Sequence, residues 1–403
     1  GLTMLGENQS NLNAVIGSAN YDIGHVFSTG GGGIASLGVV CSASNKARGV
    51  TGRGAPTGDP FYIDYVAHEM GHQWGANHTF NGSTGSCSGG NRASSHAYEP
   101  GSGATIMAYA GICGAEDLQP NSDAYFHRDS LDVIETFSRS GGGNACKALV
   151  ATGNLATPEV DAGEDYTIPI STPFALTGAA TDADGDTLTY CWEQWDLGPA
   201  GPAISGNAPI FRSFNPTPEP TRTFPKVADL VDGTPTIGET LPTYARTLHF
   251  RLTARDNAVP AGDEEYDESV ITVSAAAGPF LVTAPNSAIA WNGIGPHAVA
   301  WNVANTTAAP VSCATVDVDL STDGGFTFPH PLAVNVANDG SEAVYTGVAD
   351  SATARVRVGC RGNVFFDISN ADFTIAGADV LLFADSFESS DTDRWSATGT
   401  EKR

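Results

Sequence analysis

Residues 68–78 of the chain read HEMGHQWGANH. In a helix, residues four apart lie on the same side, so His68 and His72 face the same way, with Glu69 beside them. Two imidazoles placed like this can reach one ion at about 2.0–2.1 Å, the usual distance from zinc to a histidine nitrogen. The spacing therefore predicts a helix with a metal-binding side.

The residues around this segment predict a helix over residues 60–74. Asp59 is predicted to cap it, and Pro60 suits the first turn, because its fixed φ is helical and its missing N–H would have no partner there. The face opposite the histidines is apolar, which predicts that it packs against the core. That face consists of Ile63, Val66, Met70 and Trp74.

Gly75 predicts the end of this helix, because glycine readily adopts the left-handed conformation that ends helices. The chain can then turn back, so that His78 reaches the same ion from another direction. Three neutral imidazoles leave the charge of zinc uncompensated and make a water in the fourth position acidic. Glu69 is placed to take the proton of that water and to pass it to a leaving amine. These residues predict amide hydrolysis without a covalent intermediate.

The segment fits HExxHxxGxxH at every fixed position and resembles the metzincin metallopeptidases, in particular the reprolysin-like (adamalysin-related) branch of secreted bacterial proteases. The resemblance covers residues 1–148 and implies an α/β (α+β) zinc protease domain. ATIMAYAGICG, residues 104–114, resembles the Met-turn, in which Met107 would lie beneath the zinc histidines. GGIASLGVVC, residues 32–41, resembles the strand that lines the substrate cleft, to which a bound peptide would add as another strand.

Tyr109 resembles the Met-turn tyrosine of the astacin and serralysin branches, which ligates zinc or hydrogen-bonds the tetrahedral intermediate. Reprolysins proper lack this tyrosine, so a catalytic or metal-site role and a packing role both stay open. Only 67 residues precede His68, fewer than in the domains that the chain resembles. We therefore expect an N-terminally truncated protease domain that lacks the opening strands and first helix and has an incomplete sheet.

The seven cysteines are scattered and include no CxxC pair, a pattern that indicates disulfides formed in an oxidising compartment, with one thiol left over. Connectivity does not follow from sequence. The resemblance to reprolysins suggests that Cys41 bonds the C-terminal end of the protease domain, with Cys146 as the candidate partner. The other suggested pairs are Cys87 with Cys113 and Cys313 with Cys360, which leave Cys191.

After Leu155 helical periodicity disappears, and short alternating runs with Gly, Pro and Asp-Gly turns take over. This pattern predicts two all-β, Ig-like sandwiches over residues 157–276 and 279–376, followed by a flexible acidic tail at 377–403. The Pro-rich segment 199–225 is predicted to be an extended excursion on the surface. Binding of polymeric substrate or of the cell surface is an expected role for the sandwiches, although fold alone does not establish a function.

In DADGD, the side chains of Asp182, Asp184 and Asp186 alternate like the opening of a calcium loop, and carboxylates suit this hard cation. The glycine and glutamate of an EF-hand are out of register, and the segment more closely resembles the Asp-Gly turn of PKD and cadherin-like sandwiches. A calcium site and a solvated turn therefore both stay open.

The chain carries 19 Lys and Arg against 45 Asp and Glu, a net charge of −26. Such a surface repels phosphate backbones, so nucleic acid is not an expected partner. No apolar run approaches the roughly 18 residues that a membrane span requires. The predicted function is a secreted zinc-dependent endopeptidase acting on protein and peptide substrates. Two alternatives stay open: an adhesion or substrate-binding ectodomain with a vestigial protease domain, and a zinc hydrolase of a non-peptide amide.

Overall fold

The computed structural model describes residues 1–202, 206–292, 295–347 and 350–377, so the predicted tail at 377–403 lies, apart from its first residue, outside the described residues. The described chain divides into two compact units. The first comprises Gly1–Phe280 with residues 304–312 and 362–365, and the second comprises Leu281–Val303, Cys313–Arg361 and the described residues from Phe366 onward. The predicted domains 1–148 and 157–276 thus lie in one compact unit.

The first 148 residues contain three main helices and one small sheet. In chain order these are α1 (Leu2–Val15), β1 (Val26–Ser28), β2 (Gly32–Ala35), β3 (Gly49–Gly52), the motif helix and α4 (Arg128–Arg139). The motif helix has three parts, which are α2 (Asp59–Phe61), a π-helical segment (Tyr62–Ala67) and α3 (His68–Gln73). The central strand β3 is parallel to β1 and antiparallel to β2, so β2 lies at an edge of the sheet. None of the described helices combines the length and apolar character that crossing a bilayer requires.

The motif helix differs from the predicted one in its N-terminal cap and in its hydrogen-bonding pattern. Gly58 occupies the cap, and Asp59 lies in the first turn together with Pro60, where its side chain makes no capping hydrogen bond. Residues Tyr62–Ala67 form a π-helical segment, which the regular helical spacing of the sequence does not indicate. Below the helix lies a buried core, against which Ile63 and Ala67 pack. That core consists of Ala76, Ile106 and Met107.

The strand expected over residues 32–41 is shorter than expected and spans only Gly32–Ala35. Beyond it the chain turns onto the end of the motif helix, because the N–H of Gly38 donates to the carbonyl of His72 and that of Val39 to the carbonyl of Gln73, both at 2.9 Å. These hydrogen bonds fix β2 beside α3, the helix part that carries His68 and His72.

Residues 149–280 are rich in β-structure, with one short helix. The elements are β4 (Glu159–Asp161), β5 (Tyr166–Pro169), β6 (Phe174–Thr177), β7 (Ala179–Thr181), β8 (Thr189–Gln194), β9 (Thr221–Phe224), α5 (Val227–Asp232), β10 (Arg246–Arg255) and β11 (Glu264–Ser274). The largest sheet has the order β5-β11-β10-β8, with β5 parallel to β11 and the other pairs antiparallel. The pair β4-β7 contacts this sheet at β10 and β11.

The prediction that residues 199–225 form a surface excursion is wrong for part of the segment. Phe211 and Phe224 are buried, and their rings lie 5.1 Å apart. Both pack with Phe174 and Phe250 in one aromatic cluster. Proline removes backbone donors and so discourages a regular ladder, but it does not keep neighbouring aromatic side chains out of the core.

The second unit contains one antiparallel sheet and one mixed sheet. Its strands are β12 (Leu281–Ala284), β13 (Ala290–Asn292), β14 (His297–Asn302), β15 (Thr315–Ser321), β16 (His330–Ala337), β17 (Ser341–Val344), β18 (Ser351–Cys360), β19 (Phe366–Ile368) and β20 (Phe373–Ala376). One sheet has the order β12-β14-β17, and the other runs β13-β20-β18-β15-β16, with β19 paired to β18. Strand β12 contacts β18 and β19, and alternating residues of β14, β15 and β18, such as Val299, Val316 and Val356, are fully buried.

Three disulfides join the three pairs suggested above, of which only the first came from the resemblance to reprolysins. They are Cys41–Cys146, Cys87–Cys113 and Cys313–Cys360, and Cys191 is a buried free thiol. The first closes the N-terminal part of the chain, since it ties the segment after β2 to the turn after α4. The second joins the loop around Cys87, which follows the motif helix, to the loop around Cys113, which follows Met107.

Asp367 in β19 is a buried carboxyl group of the second unit. It is 9% exposed, and its Oδ2 accepts a hydrogen bond from the N–H of Val282 at 2.6 Å. Burial raises the pKa of Asp367 to about 7. An unfolded chain releases this proton near pH 4. The folded chain therefore binds more protons between about pH 4 and pH 7, and its stability falls as the pH rises through that window.

Replacing Asp367 by Asn should remove this pH dependence while keeping an acceptor oxygen for Val282. We expect the free energy of unfolding of the variant, relative to wild type, to rise by about 3–4 kcal/mol between about pH 4.5 and pH 8. Urea titrations at several pH values, with hydrogen exchange of the β12 amides as a local probe, measure this difference. A difference that is the same at both ends of the range would contradict the prediction.

Candidate metal site

The structure brings the three motif histidines together. His68 and His72 lie one turn apart on α3, and their ring centroids are 4.8 Å apart. The helix ends after Gln73, and Gly75 adopts a φ of 100°, which residues other than glycine rarely adopt. The chain then turns back, and the ring of His78 lies 4.7 Å from that of His72 and 5.2 Å from that of His68.

Each of the three imidazoles is oriented by a backbone carbonyl. The Nδ1–H groups donate from His68 to Ile106 at 2.8 Å, from His72 to Ala76 at 2.7 Å and from His78 to Asn91 at 2.6 Å. A carbonyl oxygen only accepts hydrogen bonds, so every Nδ1 carries the proton and every Nε2 keeps a free lone pair. Metal-binding histidines are typically oriented by such second partners, which fix the tautomer.

The free Nε2 atoms face one another. Those of His72 and His78 are 3.0 Å apart, and one nitrogen from each of the three rings lies within 4.8 Å of the others. Two lone pairs at this distance repel each other unless a cation lies between them. Three neutral imidazole nitrogens around one point are also the donor set of catalytic zinc sites, which keep a fourth position open. The arrangement therefore fits a zinc ion.

Burial keeps all three imidazoles neutral. Burial, helped by the neighbouring His72 and His78, holds the pKa of His68 well below its usual value. Burial and His78 lower the pKa of His72 to about 4, and burial also lowers the pKa of His78. A neutral imidazole is the form that binds a metal ion.

Glu69 lies beside the histidines in a buried position. Its side chain is 6% exposed, and burial raises the pKa of Glu69 to about 8. Its Oε2 atom is buried and has no hydrogen-bond partner among the described residues. The carboxylate lies against the backbone of Gly33 in β2, so closely that a Cβ atom at position 33 would overlap it. A buried oxygen without a partner indicates that a water, an ion or a substrate group completes the site.

Met107 lies beneath the metal site. It is fully buried, and a Cβ atom at position 71 of the motif helix would overlap its Sδ atom. The residue before it, Ile106, provides the carbonyl that orients His68. The segment around Met107 therefore supports the helix from below and fixes one of the imidazoles.

Tyr109 lies against the same histidines. Its ring centroid is 4.5 Å from that of His78 and 5.6 Å from that of His68. Burial, together with the charge of Glu69, raises the pKa of Tyr109 to about 12. Its hydroxyl makes no hydrogen bond within the part of the chain that the structure describes. Tyr109 is thus close enough to the metal position to take part in chemistry there.

Glu99 joins the two loops that support the site, and nothing in the sequence indicated it. The buried carboxylate accepts hydrogen bonds from the hydroxyls of Thr79 at 2.5 Å and Thr105 at 2.6 Å. It also accepts from the backbone N–H groups of Ala104 at 2.8 Å and Thr105 at 3.1 Å. Thr79 follows His78 directly, and residues 104–105 precede the carbonyl that orients His68. Glu99 therefore fixes two of the three ligand positions at once.

The candidate calcium ligands are only partly brought together. Asp182 and Asp186 lie with Asp256, and one carboxylate oxygen of each is within 4.8 Å of the others. Asp184 is not part of this group, because its Oδ2 accepts from the N–H groups of Leu155 and Ala156 at 2.7 Å and 2.9 Å. Asp256 follows strand β10, far along the sequence, so the spacing within DADGD could not indicate it.

Comparison with known families agrees with the metal site. Residues 2–129 match the model of one family, described as Metallo-peptidase family M12B Reprolysin-like. The match supports a reprolysin-like domain in this part of the chain. No curated protein matches the chain.

Several solved structures show weak similarity to the chain. The titin domains z1z2 in complex with telethonin have a TM-score of 0.19 and 9% identity, covering 56% of this chain and 97% of that chain. Drosophila N-cadherin EC1-4 has a TM-score of 0.20 and 11% identity, covering 55% and 50%. The N-terminal four Ig domains of Dscam1 isoform 4.44 have a TM-score of 0.16 and 12% identity, covering 57% and 47%. At these TM-scores the similarities support no conclusion about fold or function.

Proposed function

We propose that this chain is a zinc-dependent endopeptidase in which His68, His72 and His78 hold the metal and Glu69 is the general base. The observation that carries the proposal is the set of three carbonyl-oriented imidazoles whose free Nε2 atoms converge beside a buried carboxylate. The match of residues 2–129 to a metallopeptidase family whose members depend on zinc supports the same chemistry.

A zinc ion held by His68, His72 and His78 would lower the pKa of a bound water and would polarise the scissile carbonyl. The charge of a bound zinc ion would lower the pKa of Glu69 from the value of about 8 that burial gives it. Glu69 could then accept the proton of the attacking water at Oε2, the oxygen that has no other partner among the described residues. It then passes that proton to the nitrogen of the leaving amine, so the base becomes the acid of the second step. The backbone carbonyls that bind Nδ1 of each histidine keep the three rings in place during both steps.

The position of Tyr109 supports a catalytic role for its hydroxyl. The ring is held between His78 and Phe80, at centroid distances of 4.5 Å and 4.7 Å. A hydroxyl without an internal partner is available to donate a hydrogen bond to the oxygen that becomes negative in the transition state. The edge position of β2 beside Glu69 supports a substrate peptide that adds to that edge as an extended strand.

The setting of the enzyme is also part of the proposal. Three disulfides suit an oxidising compartment and support secretion. The β-rich regions 157–276 and 279–376 are proposed as accessory domains that bind polymeric substrate or a cell surface. Calcium stays an expectation for the turn that holds Asp182 and Asp186, now with Asp256 in place of Asp184.

Removal of the metal tests the proposal directly. Treating the full chain with a zinc chelator should lower casein or gelatin hydrolysis by more than about 100-fold, because zinc contributes several kcal/mol to the transition state. One equivalent of zinc should restore activity and raise the melting temperature. Elemental analysis should find one zinc per chain, and the same measurement detects calcium.

The outcomes separate the rival functions. Proteolysis that persists in chelator would contradict the proposal. Zinc binding without hydrolysis of any peptide or small amide would favour a vestigial protease domain in an adhesion protein. Hydrolysis of small amides, but of no peptide, would favour a non-peptide amide hydrolase.

A further inference from the structure

A cavity of about 270 Å³ adjoins the metal site. It is called here the Arg92 pocket and is lined by Ala35, Leu37, His72, Asn77, His78 and residues 90–93. Two of the metal-binding histidines thus form part of its wall. Its other walls are the end of β2 and the loop that follows the motif helix. A group bound in this pocket would lie next to the reacting bond.

We propose that the Arg92 pocket binds a carboxylate group of the substrate and makes the enzyme prefer acidic substrates. The inference rests on the proposed peptidase function, because it concerns the same site. It names the substrate class that the zinc motif leaves open.

The guanidinium of Arg92 is held in place by neutral groups. Its Nε and Nη2 atoms donate to Oδ1 of Asn81 at 3.0 Å and 2.8 Å, and Nη2 also donates to the carbonyl of Gly198 at 2.8 Å. Asn81 is itself fully buried and donates through Nδ2 to the carbonyl of Pro199 at 2.9 Å. Arg92 is therefore positioned by a rigid network before any substrate arrives.

The charge of Arg92 has no counter-charge among the described residues. Among the described residues no carboxylate lies within 4.0 Å of its guanidinium, and Nη1 makes no hydrogen bond. No acidic side chain lines the Arg92 pocket. In a chain with a net charge of −26, an arginine left without a carboxylate at the edge of the metal site is a ready partner for one from outside.

The loop of Arg92 is coupled to the metal ligands. The carbonyl of Asn91, the residue before it, accepts the hydrogen bond from Nδ1 of His78. On the opposite wall, Ala35 is the last residue of β2, the edge strand beside Glu69. A peptide lying along that edge passes the pocket close to the scissile bond, since one extended residue advances about 3.3 Å. A side chain near that bond can reach Arg92.

The carboxylate has two conceivable sources, an Asp or Glu side chain or the C-terminus of a peptide. Two series of fluorogenic peptides with identical cores distinguish them. In the first, the C-terminus is amidated and Glu, Gln or Lys is placed at one position at a time on both sides of the cleaved bond. In the second, all side chains are neutral and the C-terminus is either free or amidated.

We expect one position in one series at which the carboxylate raises kcat/KM by about 10- to 100-fold over its neutral counterpart, the range expected for a charge-assisted hydrogen bond. The effect should lie mainly in KM, because the pocket holds a part of the substrate that does not react. It should shrink as the salt concentration rises. The matching Lys peptide should be the poorest substrate.

Variants of Arg92 test whether this residue is responsible. Arg92→Gln should cleave the Glu and Gln peptides with equal kcat/KM. Arg92→Lys should keep part of the preference, since lysine retains the charge without the planar fork. Arg92→Glu should favour the Lys peptide. Arg139→Gln is the control, because it removes the same charge from a side chain that is 70% exposed on α4.

Binding measurements provide a readout without turnover. With Glu69→Gln as an inactive host, a labelled Glu peptide should bind about 10- to 100-fold more tightly than the Gln peptide, and Arg92→Gln in that host should abolish the difference. Equal cleavage of Glu, Gln and Lys peptides by an active wild-type enzyme would overturn the inference and leave the peptidase function intact. So would an Arg92→Gln variant that loses activity equally on all peptides. Failure to cleave any peptide would instead count against the proposed function.

Discussion

A Glu69→Gln variant is expected to hydrolyse peptides with a kcat/KM about 10²- to 10⁴-fold below that of the wild-type chain, at unchanged zinc content. Glu69 is buried beside the three motif histidines, and its Oε2 atom has no hydrogen-bond partner in the part of the chain that the structure describes. Glutamine has the same shape, so it fits the space against Gly33 without displacing the backbone of β2. It cannot accept a proton at neutral pH, however, and so loses the step on which hydrolysis depends.

The measurement combines steady-state kinetics on one peptide with elemental analysis of the same preparation. Glu7→Gln is the matched control, because Glu7 is an exposed residue of α1 and its replacement removes the same charge. The control should keep wild-type activity. A Glu69→Gln variant that retains more than about a tenth of the activity would show that another group moves the proton. Loss of zinc from that variant would show that Glu69 also affects metal binding.

The part of the site that sequence could predict is the part governed by local spacing. Helical periodicity places His68 and His72 one turn apart, and Gly75 ends the helix because its backbone has a positive φ. The π-helical segment before His68 could not be predicted in this way, since it depends on how the helix packs against the core.

The partners that complete the site come from distant segments or from the backbone. Every residue has a carbonyl, so nothing in the sequence singles out Ile106, Ala76 or Asn91 as the groups that orient the histidines. Asp256 joins Asp182 only because β10 ends beside the DADGD turn. Such pairings depend on the tertiary structure, so they cannot be predicted from the spacing of residues along the chain.

The edge strand shows the same limit at the level of secondary structure. Residues 32–41 resemble one continuous strand, but β2 ends at Ala35, and Gly38 and Val39 bond to the end of the motif helix instead. Likewise, the proline content of residues 199–225 favoured the surface, whereas Phe211 and Phe224 fill the core. In both cases contacts with another element, rather than local propensity, determined the structure of the segment.

The second large effect is expected at Glu99, a residue that touches no metal ligand. Replacing Glu99 by Ala leaves four donors without an acceptor, the hydroxyls of Thr79 and Thr105 and the N–H groups of Ala104 and Thr105. An unpaired buried donor costs about 1–3 kcal/mol. Because a water can enter the vacated space and satisfy some of them, the free energy of unfolding should fall by about 3–5 kcal/mol.

The same replacement should weaken zinc binding, because Glu99 connects the segment after His78 with the segment before Met107. Loss of an outer partner typically lowers metal affinity by about 10- to 100-fold, and competition with a chromogenic chelator measures this. Glu99→Gln is the matched control: its amide oxygen can accept from the two N–H groups, and the threonine hydroxyls can rotate to accept from its amide. It should therefore lose less stability and less affinity than the alanine variant. Equal behaviour of the two variants, or wild-type zinc affinity in Glu99→Ala, would show that the metal site keeps its geometry without this carboxylate.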